Sequence, residues 1–208
     1  MGFLPLAILL LTGGTDTPAP PDNPGTVPTA PPINAPAPIT GKERLDWAVK
    51  STIGPGSLMV GAVEAEWGTL FNRPKEYGEG INGAGKRYGL RLSSVGTSNV
   101  IEAGLGAIWG EDPRYHIGHV DTARGHLSHA LKMTFLADRA DGTVAPAYAR
   151  YIAFASSNAI SDAWRPDSQR TLGNTTLRIG ERFAGRLVAN IFKEYWPGIK
   201  QHSFLNKH

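Results

Sequence analysis

The chain has 208 residues, of which 41% are hydrophobic, and it contains 25 Gly, 16 Pro and no Cys. This length suits one domain with appendages, and the lack of cysteine excludes disulfides, thiol catalysis and cysteine-ligated zinc. All 21 Lys and Arg residues follow residue 41, whereas Asp16 and Asp22 precede it, so the formal charge is +3 overall and +5 from residue 42 onward. Because the basic residues are spread along the chain, no nucleic-acid partner is predicted.

Residues 1–14 contain a short apolar leader. The run from Phe3 to Leu11 is shorter than the roughly 20 residues needed to span a bilayer, but it matches the hydrophobic region of a secretory signal. Thr12 and Gly14 are small residues suited to a cleavage site, although no Lys or Arg precedes the run. We therefore predict a signal peptide and export to the periplasm or cell envelope. A retained hydrophobic tail or a misassigned start is the alternative.

Residues 15–39 are rich in proline, which removes backbone donors and favours extended conformations. We expect a disordered tether, which either holds the following domain away from a membrane or is a passive remnant behind the leader.

Residues 40–203 are predicted to form a compact all-α bundle of about six helices, followed by a tail at 204–208. A capping box at Thr40 and Glu43 opens the first helix. Asp141-Gly142 is predicted to be a turn, and Pro197-Gly198 is expected to end the last helix, with Asn174 as its cap. The expected helices are 40–53, 57–71, 76–109, 123–137, 146–164 and 175–196. The segment 76–109 is expected to be either one long helix or two shorter ones with a break at Gly96.

Small residues recur four apart in these helices, which predicts faces where another helix can approach closely. Such faces could pack the bundle or support a homo-oligomer. Four tryptophans lie near the predicted helix ends, and we expect them to close the ends of the bundle rather than to form a membrane belt. The small-residue pairs are Gly61/Ala65, Gly106/Gly110, Ala153/Ser157, Gly180/Ala184 and Gly185/Ala189, and the tryptophans are Trp67, Trp109, Trp164 and Trp196.

Residues 150–164 and 182–196 resemble each other without a gap. Each segment starts with Arg, ends with Trp and carries a polar pair four residues apart, which places the pair on one helix face. Because unsatisfied buried polar groups cost about 1–3 kcal/mol, we expect these pairs to bond to neighbouring helices and set their register. The pairs are Asn158 with Asp162 and Asn190 with Glu194.

Four histidines form the only cluster with metal-binding potential in the sequence: His116, His119, His126 and His129. Two histidines three apart on a helix face the same way and could bind one zinc or similar divalent ion. The HExxH pattern is absent, so surface histidines are the plainer interpretation. The glycine-rich segment at 78–87 lacks a preceding strand and a Ser or Thr after Lys86, so no nucleotide site is predicted.

Several segments resemble a family of exported bacterial proteins that has no established activity. The resemblance rests on residues 107–115, 132–137, 145–151 and 183–190 together with Trp196-Pro197, and it extends over about 40–203. It implies a bacterial envelope setting and assigns no role to any residue.

These features favour a non-enzymatic exported helical domain that associates with the cell envelope. The alternative is a small metal-dependent hydrolase that uses the four histidines or Glu111. An integral membrane helical bundle is a third hypothesis.

Overall fold

The computed structural model describes residues 37–72 and 74–205, with side chains as far as Gly198. The all-α prediction is confirmed, since the described residues form six α-helices and one short antiparallel ribbon. The leader and almost all of the proline-rich segment lie outside the described residues. The elements are α1 Gly41–Ile53, α2 Pro55–Leu70, α3 Gly80–Trp109, α4 Ala123–Phe135, β1 Leu136–Asp138, β2 Val144–Pro146, α5 Tyr148–Ser161 and α6 Leu172–Leu205.

The N-terminus of α1 forms the predicted capping box. The Glu43 amide donates to the Thr40 hydroxyl at 3.3 Å, and the Thr40 amide donates back to the Glu43 carboxylate at 2.8 Å. These bonds satisfy two amides that have no partner within the helix, which fixes where α1 begins.

The long helix α3 is unbroken, so Gly96 is not a helix end. A side chain at Gly96 would meet the Thr52 methyl of α1 at 3.2 Å, and the glycine therefore permits close packing of α1 on α3. At the start of α3, Gly83 packs beneath the Gly78 carbonyl, to which Arg87 donates at 2.9 Å. Most of the glycine-rich segment is thus the first turns of a helix.

The prediction that α4 extends to Ala137 was wrong, because the helix ends at Phe135 and the chain enters the β1–β2 ribbon. Arg150 explains this end, since its Nη1 donates to the carbonyls of Met133, Thr134 and Leu136 at 3.0, 2.8 and 3.2 Å. A guanidinium that binds several terminal carbonyls stabilises a helix C-terminus.

The predicted bounds of α6 were also wrong at both ends. The helix begins at Leu172, where the Thr171 hydroxyl accepts from the Asn174 amide at 3.3 Å, so Asn174 is inside the first turn. It also continues through Pro197, which removes one backbone donor near the exposed end without ending the helix.

Helix α3 is the central element, against which α1, α2 and α5 pack, while α4 packs on α6. The core contains few large apolar side chains: its buried hydrophobic residues are mostly alanines, with Tyr77, Met133 and Phe154. Buried Arg, Glu, Asn and Ser side chains fill the remaining interior. None of the described helices is both long enough and apolar enough to cross a bilayer.

Small residues pack the interior only in part. Gly61, Ala65, Ala153 and Ser157 are buried, whereas the small pairs of α6 between Gly180 and Ala189 are exposed. The four tryptophans of the predicted helix ends lie at the surface, each with part of its ring exposed: Trp67, Trp109, Trp164 and Trp196. The structure therefore places large apolar groups outside and small or polar groups inside.

Candidate functional site: a buried glutamate with two histidines, and an apolar outer helix face

Helix α6 carries a fully buried carboxylate that collects four hydrogen-bond donors. The Glu194 side chain is 0% exposed and accepts from His126 Nδ1 at 2.6 Å and His129 Nδ1 at 2.7 Å. It also accepts from the Gly118 amide at 3.0 Å and from the Tyr115 hydroxyl. We call Glu194, Tyr115, His126 and His129 the Glu194 cluster.

Local sequence explains how these groups meet. The Thr122 hydroxyl caps α4 by accepting from the Gly125 amide at 3.1 Å, which sets His126 and His129 one turn apart on the face that meets α6. Gly110, with a left-handed φ of 72°, ends α3, and Pro113 follows it. The extended segment after Pro113 then brings Tyr115 and the Gly118 amide across to α6.

The electrostatics of the cluster keep Glu194 charged. Burial raises the pKa of Glu194, but the hydrogen bonds from Tyr115, Gly118, His126 and His129 together outweigh burial and hold the pKa below its usual range. Burial and the adjacent carboxylate raise the pKa of the Tyr115 hydroxyl, so Tyr115 stays a donor. A carboxylate with every oxygen occupied and no exposure is a poor general base.

The chemically available atoms are the outer imidazole nitrogens. His126 and His129 use Nδ1 toward Glu194, so Nε2 of each ring takes no part in that contact, and the two side chains are 26% and 28% exposed. A histidine held by a carboxylate through one nitrogen is the usual arrangement of a metal ligand. Within 37–72 and 74–205, no group of three or more His, Asp or Glu residues has the geometry to hold a metal ion.

The other two predicted histidines lie elsewhere. His116 Nδ1 contacts Asp138 on β1 at 2.8 Å, and His119 is exposed. Asp112, beside His116, is buried and holds the Arg114 guanidinium at 2.7 Å. Glu111 is buried at the start of α5, where it accepts from the Ala149 amide at 3.0 Å. The structure therefore brings together only two of the four histidines.

The polar pairs on α5 and α6 contact neighbouring elements. Arg178 of α6 donates to Asn158 at 2.9 Å and to Asp162 at 2.8 Å, so one guanidinium bridges the α5 pair. Asn190 donates to the Thr134 hydroxyl of α4 at 3.2 Å. Sequence reasoning missed that Glu194 is the partner of the histidines, because the two regions are 65 or more residues apart.

A second candidate site is an apolar surface on α2. At about 100° per residue, the large apolar residues of α2 other than the half-buried Leu58, together with Phe71 just after the helix, fall within an arc of about 120°. All of them are exposed, among them Met59 at 71% and Leu70 at 76%, and Trp67 and Phe71 contact each other with ring centroids 4.8 Å apart. We call this surface the α2 outer face: Met59, Val60, Val63, Trp67, Leu70 and Phe71.

No protein-family model, curated protein or solved structure matches this chain.

Proposed function

We propose that the chain is a non-enzymatic, exported helical domain that associates with the cell envelope, and that the α2 outer face contacts the bilayer surface. The observation that carries the proposal is the orientation of α2. Its inner face fully buries only the small residues Gly61 and Ala65 and half-buries Leu58, while six large apolar side chains face outward. Contiguous exposed apolar surface of this kind is typical of a site that contacts a partner or a membrane.

The neighbouring helix α1 adds features that suit a bilayer surface. Leu45, Val49 and Ile53 form a second exposed apolar row at helical spacing. Lys42 lies on the same helix and is exposed, so its amine can reach lipid phosphates while its stem stays on apolar surface, whereas the Lys50 amine pairs with Asp46 at 2.7 Å. Aromatic rings such as Trp67 and Phe71 are favoured at the boundary between headgroups and acyl chains.

Charge favours a bilayer over a second copy of the same face. Glu64 and Glu66 flank the α2 outer face, and both are exposed. Arg91 pairs with Glu64 at 2.5 Å, whereas Glu66 forms no ion pair among the described residues. Two copies meeting face to face would bring such carboxylates together at an apolar interface, which is unfavourable. On a bilayer, they would lie in the hydrated headgroup layer.

Vesicle flotation tests this proposal. All proteins carry Leu9→Asp and Leu10→Asp, so that the apolar leader cannot itself anchor the chain. We expect this parent protein to float with vesicles of phosphatidylethanolamine and phosphatidylglycerol, and the variant Met59→Gln/Val63→Gln/Trp67→Gln to remain at the bottom. The matched control is Ile81→Gln/Val100→Gln/Ile108→Gln, which removes three equally exposed apolar side chains from α3. It should float like the parent.

Two results would overturn the bilayer contact. One is a parent protein that does not float; the other is an α2 variant that floats as well as the control. Light scattering, which measures the oligomeric state, adds a further check. If the parent does not float but forms a dimer, and the α2 variant alone is a monomer, a second copy of the chain covers this face.

Export is tested separately by fractionating cells that produce a C-terminally tagged chain. We expect the tag in the envelope or periplasmic fraction with the leader removed. A cytoplasmic pool with an intact N-terminus would contradict the export proposal and leave the flotation result unaffected.

A metal-dependent hydrolase is the competing proposal, and the convergence of His126 and His129 on Glu194 is what favours it. Calorimetry with zinc and the purified protein tests it. Micromolar binding that is lost in His126→Gln and His129→Gln, but kept in the exposed control His119→Gln, would support a metal site. No heat at micromolar zinc would end this proposal.

A further inference from the structure

Arg150 and Arg182 occupy equivalent positions in the two similar segments, yet their surroundings differ. Arg150 is buried on α5 and its Nε donates to the Glu102 carboxylate at 3.0 Å. Arg182 on α6 reaches α3 about two turns earlier, where Nη2 donates to the Ser94 hydroxyl at 2.5 Å. The interior guanidinium of the first segment therefore has a carboxylate, and that of the second has a neutral hydroxyl.

Arg182 also lies among other cations. Its guanidinium is over the Phe154 ring at 5.6 Å, and it forms no ion pair with a carboxylate in the described part of the chain. Burial, followed by the positive charges of Arg165, Arg91 and Arg178, lowers the pKa of Arg182 to about 10. Its surroundings therefore disfavour its positive charge.

The carboxylates near Arg182 already form ion pairs with other arginines. Glu64 pairs with Arg91 at 2.5 Å, and Asp162 pairs with Arg178 at 2.8 Å. Arg178 further donates to the Gln169 carbonyl at 2.7 Å and to the Asn158 side chain, so its guanidinium is held in place. Arg165 donates through Nε to the Ser161 hydroxyl at 3.2 Å and, like Arg182, forms no ion pair with a carboxylate in the described residues.

An independent observation points to a missing partner. The Tyr77 side chain is buried, and its hydroxyl has no hydrogen-bond partner of ordinary geometry among the described residues. Burial raises the pKa of this hydroxyl, and the charges of Arg165 and Arg178, together with a contact from the Arg165 side chain, oppose that shift, so the Tyr77 hydroxyl lies beside Arg165. A buried hydroxyl beside the Arg165 guanidinium, which has no carboxylate partner among the described residues, is an arrangement suited to an anion with several oxygens.

We propose that Arg165 and Arg182, with the hydroxyls of Tyr77 and Ser94, bind a phosphate-class oxyanion between α3, α6 and the segments that precede α3 and follow α5. Buried charges in proteins are paired, and the oxyanion takes the place that Glu102 has beside Arg150. Planar guanidiniums donate two parallel bonds to phosphate oxygens, and the two hydroxyls complete the donor set. This site is separate from the α2 outer face and does not depend on the proposed bilayer contact.

Calorimetry on the full chain with inorganic phosphate, in chloride buffer at constant ionic strength, tests the site. We expect the wild type to bind phosphate and Kd to rise by about tenfold or more in Arg182→Gln and in Arg165→Gln. Arg124→Gln, which removes an exposed arginine on α4, should leave Kd unchanged. Arg165→Gln keeps the test valid if Arg182→Gln fails to fold, because Arg165 does not contact Ser94.

A gain-of-charge variant sharpens the result. Ser94→Asp supplies Arg182 with a carboxylate, as Glu102 does for Arg150, so it should raise the thermal midpoint and abolish phosphate binding. Titration with glycerol 3-phosphate distinguishes the two sources of the oxyanion. A Kd equal to that of inorganic phosphate indicates a phosphomonoester such as a lipid headgroup, whereas binding of inorganic phosphate but not of glycerol 3-phosphate indicates the free ion. No heat from the wild type at millimolar phosphate would overturn the proposal, and so would phosphate binding by both glutamine variants that is as tight as that of the wild type.

Discussion

Helices α5 and α2 both pack on α3, but they direct their large side chains to opposite sides. The inner face of α5 buries Arg150, Phe154 and Asn158, each with contacts to other elements. The inner face of α2 fully buries only Gly61 and Ala65, with Leu58 half-buried, and its other large apolar residues face outward. The difference indicates that α5 serves the stability of the fold, whereas α2 is held close to α3 in order to present a surface.

The largest expected effect comes from breaking the ion pair beneath α5. Glu102→Leu leaves the buried Arg150 guanidinium without its carboxylate and also removes the partner of Arg186 at 3.6 Å. We expect a loss of about 3–5 kcal/mol in the free energy of unfolding, measured by urea denaturation. The double variant Glu102→Leu/Arg150→Met should recover only part of this loss, because it also removes the donor to the carbonyls of Met133, Thr134 and Leu136. If Glu102→Leu alone were as stable as the wild type, the structural role of α5 would be contradicted.

Glu194→Gln should have the next largest effect, because it weakens the contacts that hold α4 and the segment after Pro113 to α6. We expect a loss of about 2–3 kcal/mol at neutral pH. Since the folded pKa of Glu194 is lowered, its contribution is present above the unfolded value of about 4.3 and is lost as the pH falls through the folded value. The stability difference between wild type and variant should therefore shrink in acid; a difference independent of pH would contradict this reasoning.

A larger residue on the inner face of α2 should be less costly. A side chain at Gly61 would meet the Arg91 guanidinium at 2.8 Å and the Tyr88 ring at 3.0 Å, and the end of Arg91 can move. Gly61→Leu should cost about 1–2 kcal/mol in urea denaturation. Val63→Leu, two residues away on the outer face, is the matched control and should leave the midpoint unchanged. Equal effects of both changes would mean that the two faces are not distinct.

The smallest effect on stability is expected from the α2 outer face itself. Met59→Gln/Val63→Gln/Trp67→Gln changes only exposed side chains. The free energy of unfolding, measured by thermal and urea denaturation, should therefore change by no more than about 0.5 kcal/mol per substituted residue. Loss of the folded state in this variant would show that these residues support the bundle and would remove the basis for assigning them to a contact surface.

Local signals in the sequence predicted much of this fold. The capping box at Thr40 fixed the start of α1, and the three-residue spacing of His126 and His129 correctly placed both rings on one helix face. Other features depend on distant contacts. The end of α4 needs Arg150, and the role of the two histidines needs Glu194 on another helix, so neither could be read from neighbouring residues.

The orientation of α2 shows a different reason for failure. Apolar periodicity defines a face but does not say whether that face points inward, and burial of the large side chains is the usual outcome. In α2 the glycine and alanine on the opposite side allow a closer approach to α3, so the small face is the one that packs. Likewise, Pro197 is tolerated inside α6, where the helix continues to Leu205.

The most direct test of the account is the quenching of Trp67 fluorescence by brominated lipids. A chain with Trp109→Phe/Trp164→Phe/Trp196→Phe keeps Trp67 and Trp47, and the half-buried Trp47 ring, which packs under Arg186 at 5.9 Å, serves as an internal reference. We predict strong quenching in vesicles brominated near the headgroups, and its loss when Trp67→Phe is added. Equal emission with brominated and ordinary vesicles would contradict the assignment of the α2 outer face to the bilayer.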